Sequence, residues 1–293
     1  MATATPIKPS LKAISRDRSP LALWHLLSLD APTVAALWTW FIASANHVHL
    51  PLASTLAMAI TVWMLYAGDR LLDARVLNMN QAHHEDLEAR HFFHHRHRSA
   101  FLIAILFASI ALAALLPRLD AEAIRLYLVL GSLVIGYFLL IHATNSAHRL
   151  PKEIAVGLFF AAATFIPTVA RHPDLRLALL PAALLFATLC SLNCLFIYAW
   201  EHEEGCTNHP AHAITRRAVR NLPLLTVLLA LCGAALTLLS HETPWSIPCA
   251  IAYCAALLFL LHTHHLVIKP VSLRAAADLA LTAPLLLLPF LHQ

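Results

Sequence analysis

Two pairs of carboxylates stand out in a chain that carries little charge. In the stretch Tyr66-Ala67-Gly68-Asp69-Arg70-Leu71-Leu72-Asp73, the acids Asp69 and Asp73 are four residues apart, so a continuous helix projects both from one face. In Tyr198-Ala199-Trp200-Glu201-His202-Glu203-Glu204, Glu201 and Glu204 are three apart and again share a face. Like charges held together repel unless a cation stands between them. Such pairs suit Mg²⁺, which takes one or two carboxylates and completes its shell with water and phosphate oxygens. Both stretches read Tyr-Ala-x-acid, a weak internal repeat. The alternative for either pair is a solvated helix end with no chemistry.

The chain also holds 20 histidines, six of them between positions 83 and 97. His91-Phe92-Phe93-His94-His95 fits the HxxHH box of membrane di-iron oxidoreductases, and imidazole suits iron, zinc and copper. The alternatives are an amphiphilic cytoplasmic helix at headgroup level, or a loop whose imidazoles cap a phosphate. The six cysteines make no CxxC pair, so neither a zinc ribbon nor a disulfide framework is indicated. Asp278 lies one helical turn after Arg274, which predicts an internal ion pair. Asp30 reads as the N-cap of the first long helix, and Trp38, Trp40, Trp63 and Trp200 read as anchors at the membrane interface.

The elements that position these groups follow from hydropathy. Charged residues make up 12% of the 293 positions and hydrophobic ones 59%, against roughly 25% charged in an ordinary soluble domain; mean hydropathy is +0.69. That excludes a soluble enzyme, a disordered chain and a collagen. A membrane-crossing helix needs about 20 apolar residues. Apolar runs fall near 31–46, 52–68, 100–117, 123–142, 154–170, 177–200, 222–240, 245–262 and 273–291, and none alternates as a barrel strand would. The expectation is an all-α membrane protein of about nine transmembrane helices in one domain, 1–293, with residues 1–30 as a cytoplasmic or interfacial segment. With nine crossings, 16 of the 20 Lys and Arg fall on the N-terminal side. The positive-inside rule then puts the N-terminus in the cytoplasm and the C-terminus across an inner or cell membrane. The excess of cations is a topology signal and calls for no nucleic acid.

Asp69-Arg70-Leu71-Leu72-Asp73 resembles the latter part of the first aspartate-rich motif, NDxxDRxxD, of the UbiA family of intramembrane prenyltransferases. The resemblance extends to the length, the nine runs, the entry Leu29-Asp30-Ala31-Pro32, the basic turn at Pro151-Lys152, and the place of Glu201 to Glu204 as a second acidic motif. It implies a UbiA-like bundle and a transferase that moves a prenyl group from a prenyl diphosphate donor to a hydrophobic acceptor, a lipid or an aromatic. It further implies Mg²⁺ held by Asp69, Asp73, Glu201 and Glu204, phosphate contacts from Arg70 and Lys152, and Asn193, Tyr66 and Tyr198 near the substrate. The motif's leading Asn-Asp is Leu65-Tyr66 here, and its second set of acids is glutamate. A non-catalytic member that binds an isoprenoid or a partner, and the His-box oxidoreductase, therefore stay open beside it.

Overall fold

The computed structural model describes residues 20–76, 93–94, 96–143, 151–202, 212–268 and 270–290, and among them every regular element is helical. The helices are α1 (Pro20–Leu26), α2 (Asp30–Ala45), α3 (Leu52–Val76), α4 (Arg98–Leu115), α5 (Ala121–Ala143), α6 (Lys152–Arg171), α7 (Leu175–His202), α8 (Ala213–Arg220), α9 (Leu222–Leu239), α10 (Ser246–Thr263) and α11 (Pro270–Ala280), followed by a 3₁₀ run, Ala283–Phe290.

Among the described residues, all nine apolar runs fall on helical segments, and seven of these are long and apolar enough to cross a membrane. The chain is thus built for a lipid bilayer. The two runs outside that set are α5 and α2. At 16 residues, α2 reaches about 24 Å at 1.5 Å per residue, short of the roughly 30 Å hydrocarbon core.

The packing core lies where α2, α7, α10 and α11 meet, around Trp38, Phe41, Phe186, Phe196 and Leu258, each fully buried. Trp38 is therefore no interface anchor: its ring stands 4.2 Å from Phe186 and 5.7 Å from Phe41. Outward, α4 exposes Leu102, Ile103, Leu106, Phe107 and Ile110, as expected of a face solvated by lipid. At the end of the bundle with few cations, Arg171 pairs with Asp120 at 2.6 Å and Arg176 with Glu122 at 3.0 Å.

The last run is not one helix. Pro284 has no N–H, and its ring would clash with the carbonyl of Ala280 four residues back, so α11 stops at Ala280. Non-helical backbone at membrane depth is tolerated only inside protein, and here Leu281 and Ala283 are buried. The Leu281 carbonyl released by the break accepts the Trp38 indole N–H at 2.8 Å. Trp38→Phe keeps an aromatic plate against Phe186 but leaves that carbonyl unpaired, at an expected cost of about 1–3 kcal/mol. Unfolding of the purified protein in detergent measures it, and no loss of stability would mean the bond is not needed.

Candidate functional site

A sharp turn between α1 and α2 makes the site. Ser28 has φ 58°, in the left-handed region that few residues other than glycine enter, and the chain doubles back there, with Leu29 N–H donating to the Trp24 carbonyl at 3.0 Å. His25 and Asp30 end up side by side, Nδ1 to Oδ2 2.5 Å. Three distant side chains hold the turn. Trp63 donates to the Leu27 carbonyl at 3.1 Å, Arg70 Nη1 donates to the His25 carbonyl at 2.9 Å, and His94 Nε2 lies 3.4 Å from Ser28 Oγ.

Asp30 is thus not an N-cap. It is the first residue of α2, Leu29 occupies the cap position without a side-chain bond, and the Asp30 carboxylate accepts from Ala31 N–H at 3.0 Å. Its other oxygen faces His25 and, at 3.7 Å, Arg70 Nη2. His25, Asp30 and Arg70 are all buried. Burial pushes the His25 pKa down; its bond to Asp30 and that group's charge pull it up, Arg274 and Arg70 push it down again, and the net shift is downward. The imidazole is therefore neutral near pH 7, and its Nδ1–H donates to the carboxylate.

A second polar pair lies beside the first. Asn193 of α7 donates from Nδ2 to Asp278 Oδ1 of α11 at 2.9 Å, while Asn193 Oδ1, fully buried, has no partner. Both side chains line a cavity of about 30 Å³, together with Tyr66, Cys194, Val34 and Phe160, so its wall mixes polar and apolar groups. Arg274 lies close enough to act electrostatically on Asp278, Arg70 and His25. One ligand atom from each of His25, Asp30 and Asp278 lies within 4.8 Å of the other two. Two carboxylates, two guanidiniums, an imidazole and an amide thus meet among apolar helices, where ionisable groups are costly and mark function by default.

No family model, curated protein or solved structure matches this chain. The site has to be read from its own residues.

Of the residues singled out in the sequence, the fold gathers Tyr66, Arg70 and Asn193 at this centre. Asp69, beside Arg70 in sequence, faces outward and is exposed. Lys152 is exposed at the start of α6, one turn before the cavity-lining Val156. Tyr198 is half-buried and close enough to Glu153 and Arg216 to feel their charge. The Asp73 and Glu201 side chains and all of Glu204 lie outside the described residues, as do His91 and His95 of the HxxHH box. His94 packs inward, fully buried, its ring 4.3 Å from Phe101. Among the described residues, the groups that converge as metal ligands are His25, Asp30 and Asp278, and none of them comes from either acidic motif. The signal for His25 and Asp30 was present in the sequence: an imidazole and a carboxylate five residues apart at the entry to an apolar run.

Proposed function

We propose that this protein is a nine-crossing, UbiA-like intramembrane prenyltransferase, N-terminus in the cytoplasm and C-terminus across an inner or cell membrane, that moves a prenyl group from a prenyl diphosphate to a hydrophobic acceptor. The observation that carries the reading is Arg70. Within the motif-like Asp69–Asp73 stretch it is a cation turned inward, buried beside Asp30 and one helical turn from Tyr66, which lines the cavity. The guanidinium suits an anionic head, and the apolar part of the lining, Val34, Val156, Phe160 and Leu281, suits a hydrocarbon tail.

In this reading Arg70 and Lys152 contact the diphosphate. The allylic C–O bond breaks, diphosphate leaves with the electron pair, and a nucleophilic atom of the acceptor bonds to the cationic carbon and gives up its proton. Mg²⁺, assigned to Asp69, Asp73, Glu201 and Glu204, would offset charge on the leaving group. The apolar wall of Val34, Val156, Phe160 and Leu281 keeps water from the cation. A volume of about 30 Å³ has room for a water or two, so the chain enters between helices from the lipid side.

That small volume also favours a second reading, a non-catalytic protein that keeps the fold and binds an isoprenoid or a partner. One experiment separates the two: purified protein with Mg²⁺ and labelled prenyl diphosphates of several lengths, wild type against Arg70→Lys and Asp69→Ala. The transferase reading expects Mg²⁺-dependent binding, weakened about tenfold or more by loss of the bidentate guanidinium and by loss of Asp69. No metal-dependent binding to wild type, or binding undiminished in Asp69→Ala, rejects it. Binding that needs no metal, with no transfer to any acceptor, supports the second reading.

A further inference from the structure

We propose that His25, Asp30, Asp278 and Asn193 form a binding site for a divalent transition-metal ion of the manganese or iron class, separate from the two acidic motifs. Three observations converge on it. Ligand atoms of His25, Asp30 and Asp278 lie within 4.8 Å of one another, although they come from three elements, α1, α2 and α11. Asn193 Oδ1 is buried without a partner on a side chain whose other end already holds Asp278, so an unused acceptor oxygen stands next to one of the three ligand residues. On the Asp278 side of the cluster, a cavity lined by Asn193, Asp278 and Tyr66 but not by His25 or Asp30 measures about 30 Å³, room for a water that completes the ion's shell.

The donor set selects the class of ion. One imidazole and three oxygens are too few nitrogens for copper or nickel, lack the thiolates of structural zinc sites and the second imidazole common in catalytic ones, and include a nitrogen that Mg²⁺ and Ca²⁺ do not favour, so the set best fits the mixed N/O chemistry of Mn²⁺ and Fe²⁺. With metal–ligand bonds of about 2.1 Å, neighbouring ligand atoms stand roughly 3–3.5 Å apart. The widest separation, at most 4.8 Å, therefore closes by up to about 1.5 Å on binding. The His25–Asp30 contact opens to admit the ion, and Arg70 keeps its bond to the His25 carbonyl.

Charge sets the limit on affinity. Asp30 and Asp278 are balanced by Arg70 and Arg274, so a dication brings two positive charges into a poorly solvated centre. The site consequently takes its metal together with an anion lodged against the guanidiniums, and inorganic phosphate tightens binding of the ion. None of this depends on a prenyl donor.

The test is Mn²⁺ titrated into the purified full chain in detergent, free ion read by electron paramagnetic resonance, with chloride alone and with added inorganic phosphate. The expected result is one Mn²⁺ per chain, tighter with phosphate, showing nitrogen coupling that disappears in His25→Gln. Asp278→Asn weakens binding about 100-fold or more, since even residues behind the ligands of metal sites typically cost 10–100-fold, while Glu122→Gln at the far end of the bundle leaves it unchanged. Asn193→Asp adds a charged ligand and tightens binding. This variant keeps the test decisive if Asp278→Asn fails to fold. Absence of stoichiometric Mn²⁺ with phosphate present, nitrogen coupling retained in His25→Gln, or equal affinity in wild type and Asn193→Asp each overturns the proposal. Failure of prenyl diphosphate binding leaves it standing.

Discussion

Asp30→Ala is expected to destabilise the protein by about 4 kcal/mol, because removing one member of a buried ion pair leaves the other charge uncompensated. The Asp30 side chain is 2% exposed and that of Arg70 7%, so solvent cannot take over the lost partner. Without the carboxylate, two guanidiniums share Asp278. His25 also loses its hydrogen-bond acceptor, and the α1–α2 turn loses the contact that joins its two sides. Arg70→Met should cost less, since Asp30 keeps His25 and Ala31 N–H. In the double variant no charge is stranded, and its loss should fall short of the sum of the single losses by about 2 kcal/mol, within the range seen for directly coupled residues. Denaturant titration of the four proteins in detergent measures the cycle. Additive losses would mean that the two side chains stabilise the fold independently and that the centre is not an electrostatic unit.

This centre was only half legible in the sequence, and the reason is geometric. Tyr66, Arg70 and Asn193 lie on long apolar helices, where a polar residue near one end of a run already marks a cavity wall. The meeting of His25 with Asp30 depends on the left-handed Ser28 and on Trp63 and Arg70 reaching the turn from α3. Those contacts span 36 and 45 residues, and no local pattern encodes them. Asp30 ahead of an apolar run carries every local mark of a cap, and only the tertiary fold turns it into the centre of an ion cluster. Asp278 was visible as an acid in an apolar run. That its hydrogen bond goes to Asn193, 85 residues away, follows from α11 packing on α7.

The fold itself was more legible. Hydropathy alone marks where the long apolar helices lie, because length and apolar content are local properties; the polar α8, Ala213–Arg220, leaves no such mark. Within the final run the prolines at 284 and 289 were equally visible, but their consequence depends on burial: the break lies inside protein, where Trp38 reaches its freed carbonyl. Crossing count is harder to read, since α2 is apolar but short, and composition alone does not say whether a 16-residue helix spans a bilayer or lies buried within the bundle.

Gly157→Ala is expected to cost about 2–3 kcal/mol, the usual range for overpacking a well-filled contact, even though alanine is the better helix former by about 1 kcal/mol. A Cβ at this position would meet the Ser191 hydroxyl and, at 2.6 and 2.7 Å, the Ser191 nitrogen and the Ala187 carbonyl oxygen. The hydroxyl can rotate away, but the two backbone atoms cannot, so α6 and α7 have to separate. The pattern is reciprocal: Gly157 and Ala161 on α6, Ala187 and Ser191 on α7, each four apart, the small-xxx-small spacing that lets helices approach closely in a bilayer without a hydrophobic driving force. Gly136 of α5 provides the contrast, with nothing within 4 Å of its would-be Cβ, so Gly136→Ala should be neutral or stabilising by about 0.5–1 kcal/mol. The same one-carbon change thus carries opposite signs at two helix positions, and denaturant titration of both variants reads them side by side. Equal effects would show that the close approach is not a constraint. Because Val156 and the Cys190–Cys194 segment line the cavity directly beside Gly157 and Ser191, forcing the helices apart also pulls Asn193 away from Asp278. Gly157→Ala should therefore weaken Mn²⁺ binding along with stability, while Gly136→Ala changes neither for the worse.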